Sequence, residues 1–239
     1  MLVFVYGHLA VTRVLISIEW FRLLLKTTTS KIMKRAYLII ALVAISLTEV
    51  YAQHEVGTLT VQPKIGLSVS EFWDYTDEWA LKAWNPRYGF AVGAEFEYQL
   101  KKKFSLSAGL QYSQQGAKAC IKYDDIKEKT KYKMDYINIP ILANFYVGKD
   151  FTLKCGIQPG FNVNAGYTYS SMGSSVSGDV KDLGIDVRSF DLSIPMGLSY
   201  EYKNFVADLR YNMSIINLSR GNSEKNYSCQ LLLGYRFNL

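Results

Sequence analysis

A chain of 239 residues that is 49% hydrophobic, 14% aromatic and 20% charged has enough apolar surface for one sizeable domain. It nonetheless lacks the run of about 18 uncharged apolar residues that a spanning helix needs, which points the apolar content towards short elements. The formal charge of +6 is concentrated at the start, where Arg13, Arg22, Lys26, Lys31, Lys34 and Arg35 face only Glu19 and Glu49 within residues 1–52. The remainder is nearly balanced and has no basic stripe, which excludes nucleic-acid binding.

Residues 1–32 have apolar runs broken by His8, Arg13, Glu19 and Arg22. They are expected to be an over-extended start or an unstructured or helical extension; the alternative is an amphipathic helix lying on a membrane surface. From Met33 the chain reads MKRAYLIIALVAISLTEVYAQ. Lys34 and Arg35 supply a basic region, Tyr37 to Leu47 an apolar one, and Val50-Tyr51-Ala52 a small-x-small site. This is the plan of a signal peptide over residues 33–52, cut between Ala52 and Gln53. The expected mature domain is residues 53–239.

Beyond Gln53 the hydrophobic pattern has period two, the signature of strands with one apolar face. The predicted apolar faces run Leu59 to Val69, Phe90 to Leu100, Phe104 to Tyr112 and Ile137 to Val147, then Phe151 to Ala165, Phe190 to Tyr200, Phe205 to Ile215 and Tyr227 to Leu239. Eight strands result, each long enough for the roughly 9–11 residues of a tilted membrane strand. Lys101–Lys103, Gly148–Asp150 and Lys203-Asn204 make short turns, and longer connections alternate with them. Short periplasmic turns opposite long outer loops belong to a transmembrane up-and-down barrel. The expected fold is therefore all-β, an eight-stranded antiparallel barrel in the bacterial outer membrane. Ile139-Pro140 and Ile194-Pro195 fall within strands and predict bulges or bends, because proline donates no ladder hydrogen bond.

The opposite faces carry Lys64, Glu95, Glu97, Lys154, Asp191, Glu201, Asp208, Arg210 and Arg236, whereas the apolar faces carry no charge. A narrow interior filled by long charged side chains accounts for this, provided that the charges pair. Arg210, Arg236, Asp208 and Glu201 are expected to share one network. Aromatics gather at both strand ends, Tyr146 among those by the short turns and Tyr136 among those by the long loops. Two interfacial girdles are expected.

Little of the chain suggests chemistry. His54 is the one histidine after the cleavage site and sits at a free end, so hydrolysis by a nucleophile–histidine pair is not expected. Cys120, Cys155 and Cys229 form no CxxC or Cys/His cluster. No enzyme activity, metal or cofactor is predicted. Interaction is expected at the outer loops. Loop one, about Glu71–Arg87, holds Trp73, Tyr75, Trp79 and Trp84, which suit a partner or the lipopolysaccharide headgroup zone. Loop two, Cys120–Lys131, is expected to be a solvated mixed-charge face, and loop three, around Ser170–Asp179, a flexible Ser/Gly segment.

YINIPILANFYV at Tyr136–Val147, DLSIPMGLSYEY at Asp191–Tyr202, FVADLRYNMSIINL at Phe205–Leu218 and the closing LLLGYRFNL resemble the PorT-like outer-membrane β-barrel family. The resemblance covers essentially the whole mature chain and implies an integral outer-membrane protein without catalytic residues. It also implies a structural or secretion-linked role. Its partners would be outer-membrane lipid and lipopolysaccharide, the barrel-assembly machinery that reads the final strand, and secretion-system components. A surface receptor or adhesin acting through loop one is the competing expectation.

Overall fold

The computed structural model describes residues 55–73, 84–123, 126–147, 150–171, 174–220 and 223–239, with no side chains for 121–127. The chain divides into two units, Met1–Glu49 and Val50–Leu239. The first unit lies outside the described residues, as do the signal peptide, the Ala52–Gln53 cleavage point, His54, Tyr75 and Trp79.

Among the described residues, period-two patterning is realised in twelve strand segments of one sheet. In chain order they are β1 (Leu59–Trp73), β2 (Trp84–Lys101), β3 (Phe104–Gln115), β4 (Ala117–Tyr123), β5 (Ile126–Asn138) and β6 (Ile141–Val147). They continue with β7 (Phe151–Ser171), β8 (Ser174–Asp179), β9 (Phe190–Tyr202), β10 (Phe205–Asn217), β11 (Lys225–Tyr235) and β12 (Phe237–Asn238). Each pairing is antiparallel, and β4, β5, β6 and β12 take their places beside strands that are not all their neighbours in sequence. The sheet closes because β1 pairs with β2 along one edge (Leu59↔Tyr98 to Ser70↔Arg87) and with β11 along the other (Lys64↔Gly234 to Trp73↔Lys225). Closure pairs both edges of the membrane-spanning wall among the described residues, and only the short β8 hangs off it on β7.

The segment count of twelve differs from the expected eight, and each extra segment has a local cause. Gly116 adopts φ +127 between β3 and β4. Pro140, with no N–H, separates β5 from β6, and the ladder is carried past it by Ile139 N donating to Pro159 O at 2.8 Å and Gly109 N to Pro140 O at 3.0 Å. Arg236 separates β11 from β12. β8 folds back on β7 from Gly166↔Asp179 to Ser171↔Ser174. At Pro195 β9 keeps register with β10 through Asn212↔Pro195, while its pairing with β7 is interrupted between Cys155↔Met196 and Gln158↔Ser193.

Two predicted loops are strand hairpins. Cys120–Lys131 falls in β4 and β5, paired from Lys118↔Lys131 to Tyr123↔Ile126. Ser170–Asp179 is the end of β7 with β8. Trp73 and Trp84, assigned to loop one, are the last residue of β1 and the first of β2.

The wall is apolar outside and polar inside. On β1, Ile65 and Leu67 are 62% and 65% exposed, while their neighbours Lys64 and Ser68 are 4% and 0% exposed. An open apolar wall of this extent on a folded chain marks contact with lipid. Cross-strand ring pairs band it near the short turns, with Phe104–Phe145, Phe151–Tyr200 and Phe205–Tyr235 centroids 5.0–5.2 Å apart. A second band at the other end comprises Phe90–Tyr112 and Phe161–Phe190, each at 5.6 Å, and Tyr211–Tyr227 at 6.1 Å. Tyr136 and Tyr146, expected in these girdles, instead point inward and are buried. Both occupy the inward parity of their strands, which decides the matter over side-chain type.

Candidate functional site

The lumen is built from alternate residues that the outward apolar face forces inward. Midway along it, β1, β2, β7 and β10 bring Lys64, Glu95, Lys154, Asp208 and Arg210 together, all 5% exposed or less. Lys64 Nζ lies 2.5 Å from Glu95 Oε2 and 2.9 Å from Asp208 Oδ2. Arg210 spans the same carboxylates, with Nη2 2.6 Å from Glu95 Oε1 and 2.7 Å from Asp208 Oδ2. Lys154 Nζ completes the group at 3.3 Å from Asp208 and 3.9 Å from Glu95. Three cations thus surround two carboxylates. Gly109 leaves room for them, since a Cβ there would stand 2.8 Å from the Glu95 side chain.

Nearer the short turns, Arg236 Nη2 sits 2.9 Å from Glu201 Oε2 and 3.2 Å from Glu97 Oε2. Glu97 also accepts hydrogen bonds from Gln62 Nε2 at 2.5 Å and from the Ser105 and Tyr146 hydroxyls. One cation here faces two carboxylates, so the two groups together are balanced. The expectation that Arg210, Arg236, Asp208 and Glu201 share one network is corrected: Asp208 and Arg210 belong to the middle group, Glu201 and Arg236 to the lower. Among the described residues no ion pair joins them directly. Asp191, expected in the network, stands apart on β9 and accepts a hydrogen bond from the Ser214 hydroxyl.

Sequence reasoning missed several interior residues. Tyr146, Gln62 and Asn144 line the lumen, Asn144 donating to Ser105 and Ser107 at 3.1 Å. Their even position beside outward Phe145 and Val61 was the available signal. Asp135 and Arg87, buried near the long-connection end, were also missed; they pair at 3.9 Å, with Asp135 on the same side of β5 as Lys131 and Lys133.

At the long-connection end the lumen is capped by apolar side chains. Phe72, Ala117, Met134, Tyr136 and Val180 are buried together, with Trp84, Tyr132, Ile185 and Val187 packed against them. Val180 arrives on a short 3-10 turn, Val180–Leu183, whose capping box is formed by Asp179 and Asp182. Trp84 lies edge-on to Phe72 at 5.3 Å and to Tyr132 at 5.5 Å. The expected tryptophan cluster therefore splits: Trp84 serves the cap, whereas Trp73 is 44% exposed and stacks on Tyr227 at 5.6 Å. Cys120, Cys155 and Cys229 are free and exposed. No group of metal-ligating side chains occurs among the described residues.

A closed antiparallel sheet with a lipid-compatible wall and a charged, filled interior defines a transmembrane β-barrel. The family model of the outer membrane protein beta-barrel domain matches residues 51–220, and the chain belongs to that family. It is a protein of the bacterial outer membrane. Among solved structures it is similar to Ail, the attachment invasion locus protein of Yersinia pestis, at 19% identity over 77% of this chain and 100% of that one, with a TM-score of 0.43. Neisserial surface protein A is similar at 17% identity over 76% and 97%, with a TM-score of 0.43. The outer membrane protease OmpT of Escherichia coli aligns at 12% identity over 77% and 94%, with a TM-score of 0.30. No curated protein matches the chain.

Proposed function

We propose that this protein is a non-enzymatic, non-conducting anchor. Its twelve segments act as eight staves, and it serves a structural or secretion-linked role of the PorT-like kind through the hairpins at its long-connection end. The observation that carries this reading is the doubly filled lumen, an ion-paired middle beneath an apolar cap. A barrel so filled offers solute no path, so its working surface is the part that stands out of the membrane. β4–β5 and β7–β8 extend the wall beyond the second aromatic band, and the long connections make that end the outer one. The signal peptide at residues 33–52 would deliver the chain, and the aromatic-rich last strand would present it to the barrel-assembly machinery. Secretion components at the cell surface are the partners this reading implies.

Receptor or adhesin function is the second reading, and exposed Trp73 beside Tyr227 favours it. Deleting the gene and complementing it with a variant shortened in β4–β5 separates the two. The anchor reading expects that variant to fold and yet to reproduce the deletion's loss of surface delivery. Normal delivery, with loss only of binding to a soluble partner upon Trp73→Ala, would establish the receptor instead.

A further inference from the structure

The β4–β5 hairpin breaks a local rule that the rest of the wall obeys. Lys118 and Lys131 are directly opposite each other in the ladder, and Lys129 and Lys133 flank Lys131 on the same face. Residues two apart on a strand share a face at a spacing of about 7 Å. Like charges directly opposite cost stability. Among the described residues no carboxylate lies within ion-pair distance of any of these four. Asp135, on the same face, is already held by Arg87 at 3.9 Å and by Asn164 Nδ2 at 2.9 Å. Glu128 alternates to the opposite face. Burial, and then the positive charges of Arg87, Lys133 and Lys118, hold the Lys131 ammonium below its ordinary value.

The direction in which these lysines point decides what can reach them. The other face of the hairpin carries Ala117, Met134 and Tyr132, all turned into the apolar cap. The lysines are therefore on the outside of the wall. Lys118 confirms this independently, because its Nζ stands 5.3 Å from the ring centroid of Tyr88, which is 69% exposed and continues the outward face of Phe90 and Val92. The patch lies just past the end of the lipid-facing apolar band, Val92–Phe90–Tyr88 on β2 and Ile137 on β5. A ligand for it must approach from beside the barrel, at headgroup level, and not through the mouth.

We propose that Lys118, Lys129, Lys131 and Lys133 form a binding site for the phosphate groups of an outer-leaflet glycolipid. Lys118 lies over the Tyr88 ring at the aromatic edge, and the four ammonium groups meet phosphate. The bound phosphate supplies the counter-charge that no described carboxylate gives these four lysines. The proposal rests on the long-connection end being the outer one, but not on the nature of the partner.

The test uses the full-length protein refolded in uncharged detergent, with heat-modifiable gel mobility as the folding check. Retention of lipid A is followed by native mass spectrometry, and thermal unfolding is recorded with and without it. Wild type should retain lipid A and unfold at a higher temperature in its presence, with dephosphorylated lipid A having neither effect. The Lys118→Gln/Lys129→Gln/Lys131→Gln/Lys133→Gln variant should bind on the order of several hundredfold more weakly, about fivefold per lysine. In lipid-free detergent it should be no less stable than wild type, since the opposed charges are gone. Replacement of all four by Arg should preserve binding. Retention that survives loss of the lipid's phosphates or of the lysines would overturn the proposal. Equal retention of phosphatidylglycerol would overturn it in favour of an inner-leaflet headgroup and an inverted barrel. Lysine-dependent binding of inorganic phosphate or a sulfated polysaccharide, without retention of lipid A, would overturn it in favour of a soluble anion.

Discussion

At the scale of single residues, adjacent positions on β10 live in opposite solvents. Leu209 is 49% exposed on the wall, while Asp208 and Arg210 on either side are 0% and 1% exposed in the lumen. Leu209→Arg is expected to cost roughly 2–4 kcal/mol in a refolding titration into lipid vesicles, as a cation near the bilayer midplane does. A neutral result would invert the assignment of faces. In the lumen the imbalance of three cations against two carboxylates ranks the substitutions. Asp208→Asn leaves Lys64, Lys154 and Arg210 sharing Glu95, and should cost about 3–5 kcal/mol. Lys154→Met, which removes the cation with the longest contacts, restores local balance and should cost much less. Chevron or equilibrium unfolding of both variants checks the order, and a costlier Lys154→Met would refute the account of the middle group.

At the scale of elements, Gly116 is where the wall turns into the raised hairpin. Its φ of +127 and a Cβ that would meet Tyr132 O at 2.3 Å make any side chain a strain on the β4–β5 base. Gly116→Val is expected to leave the barrel folded and heat-modifiable while exposing Lys118–Lys133 to trypsin; unchanged resistance would show the glycine to be dispensable. The same element marks how far the sequence could be read. The strands that face lipid were legible because burial inside and lipid outside impose strict alternation, and the lumen charges followed from parity. The hairpins beyond the membrane were not legible. Cys120–Lys131 and Ser170–Asp179 have water on one side, so nothing enforces an apolar period, and their order comes from pairing with neighbouring strands. Trp84 was misplaced for a related reason: a tryptophan near a strand end reads as interfacial, and only the fold reveals an apolar cap inside the mouth. The partition of the charges into two groups was likewise closed to sequence, because it depends on how far along the barrel axis each strand's register sets its side chains.

At the scale of the whole barrel, the interior charges, the cap and the closed ladder act on one observable, conductance. The four lumen cations and their four carboxylate partners cancel, and each cation lies within 4.0 Å of a carboxylate. An unpaired ion in this space would cost several kcal/mol, so the groups hold one another in place and a passing ion would have to displace them. The cap of Phe72, Met134, Tyr136 and Val180 adds an apolar barrier above. In planar bilayers the purified protein is therefore expected to give no stable, large conductance. Removing the cap alone, for instance with Tyr136→Ala and Val180→Ala, should leave the membrane tight because the ion-paired middle still blocks it. Adding Arg210→Ala to that variant removes the largest of the side chains that bridge Glu95 and Asp208, and should admit small ion steps if the protein remains folded by gel mobility. Reproducible porin-sized steps from the wild type, in a preparation free of contaminating porins, would overturn the filled-lumen reading and make the protein a pore.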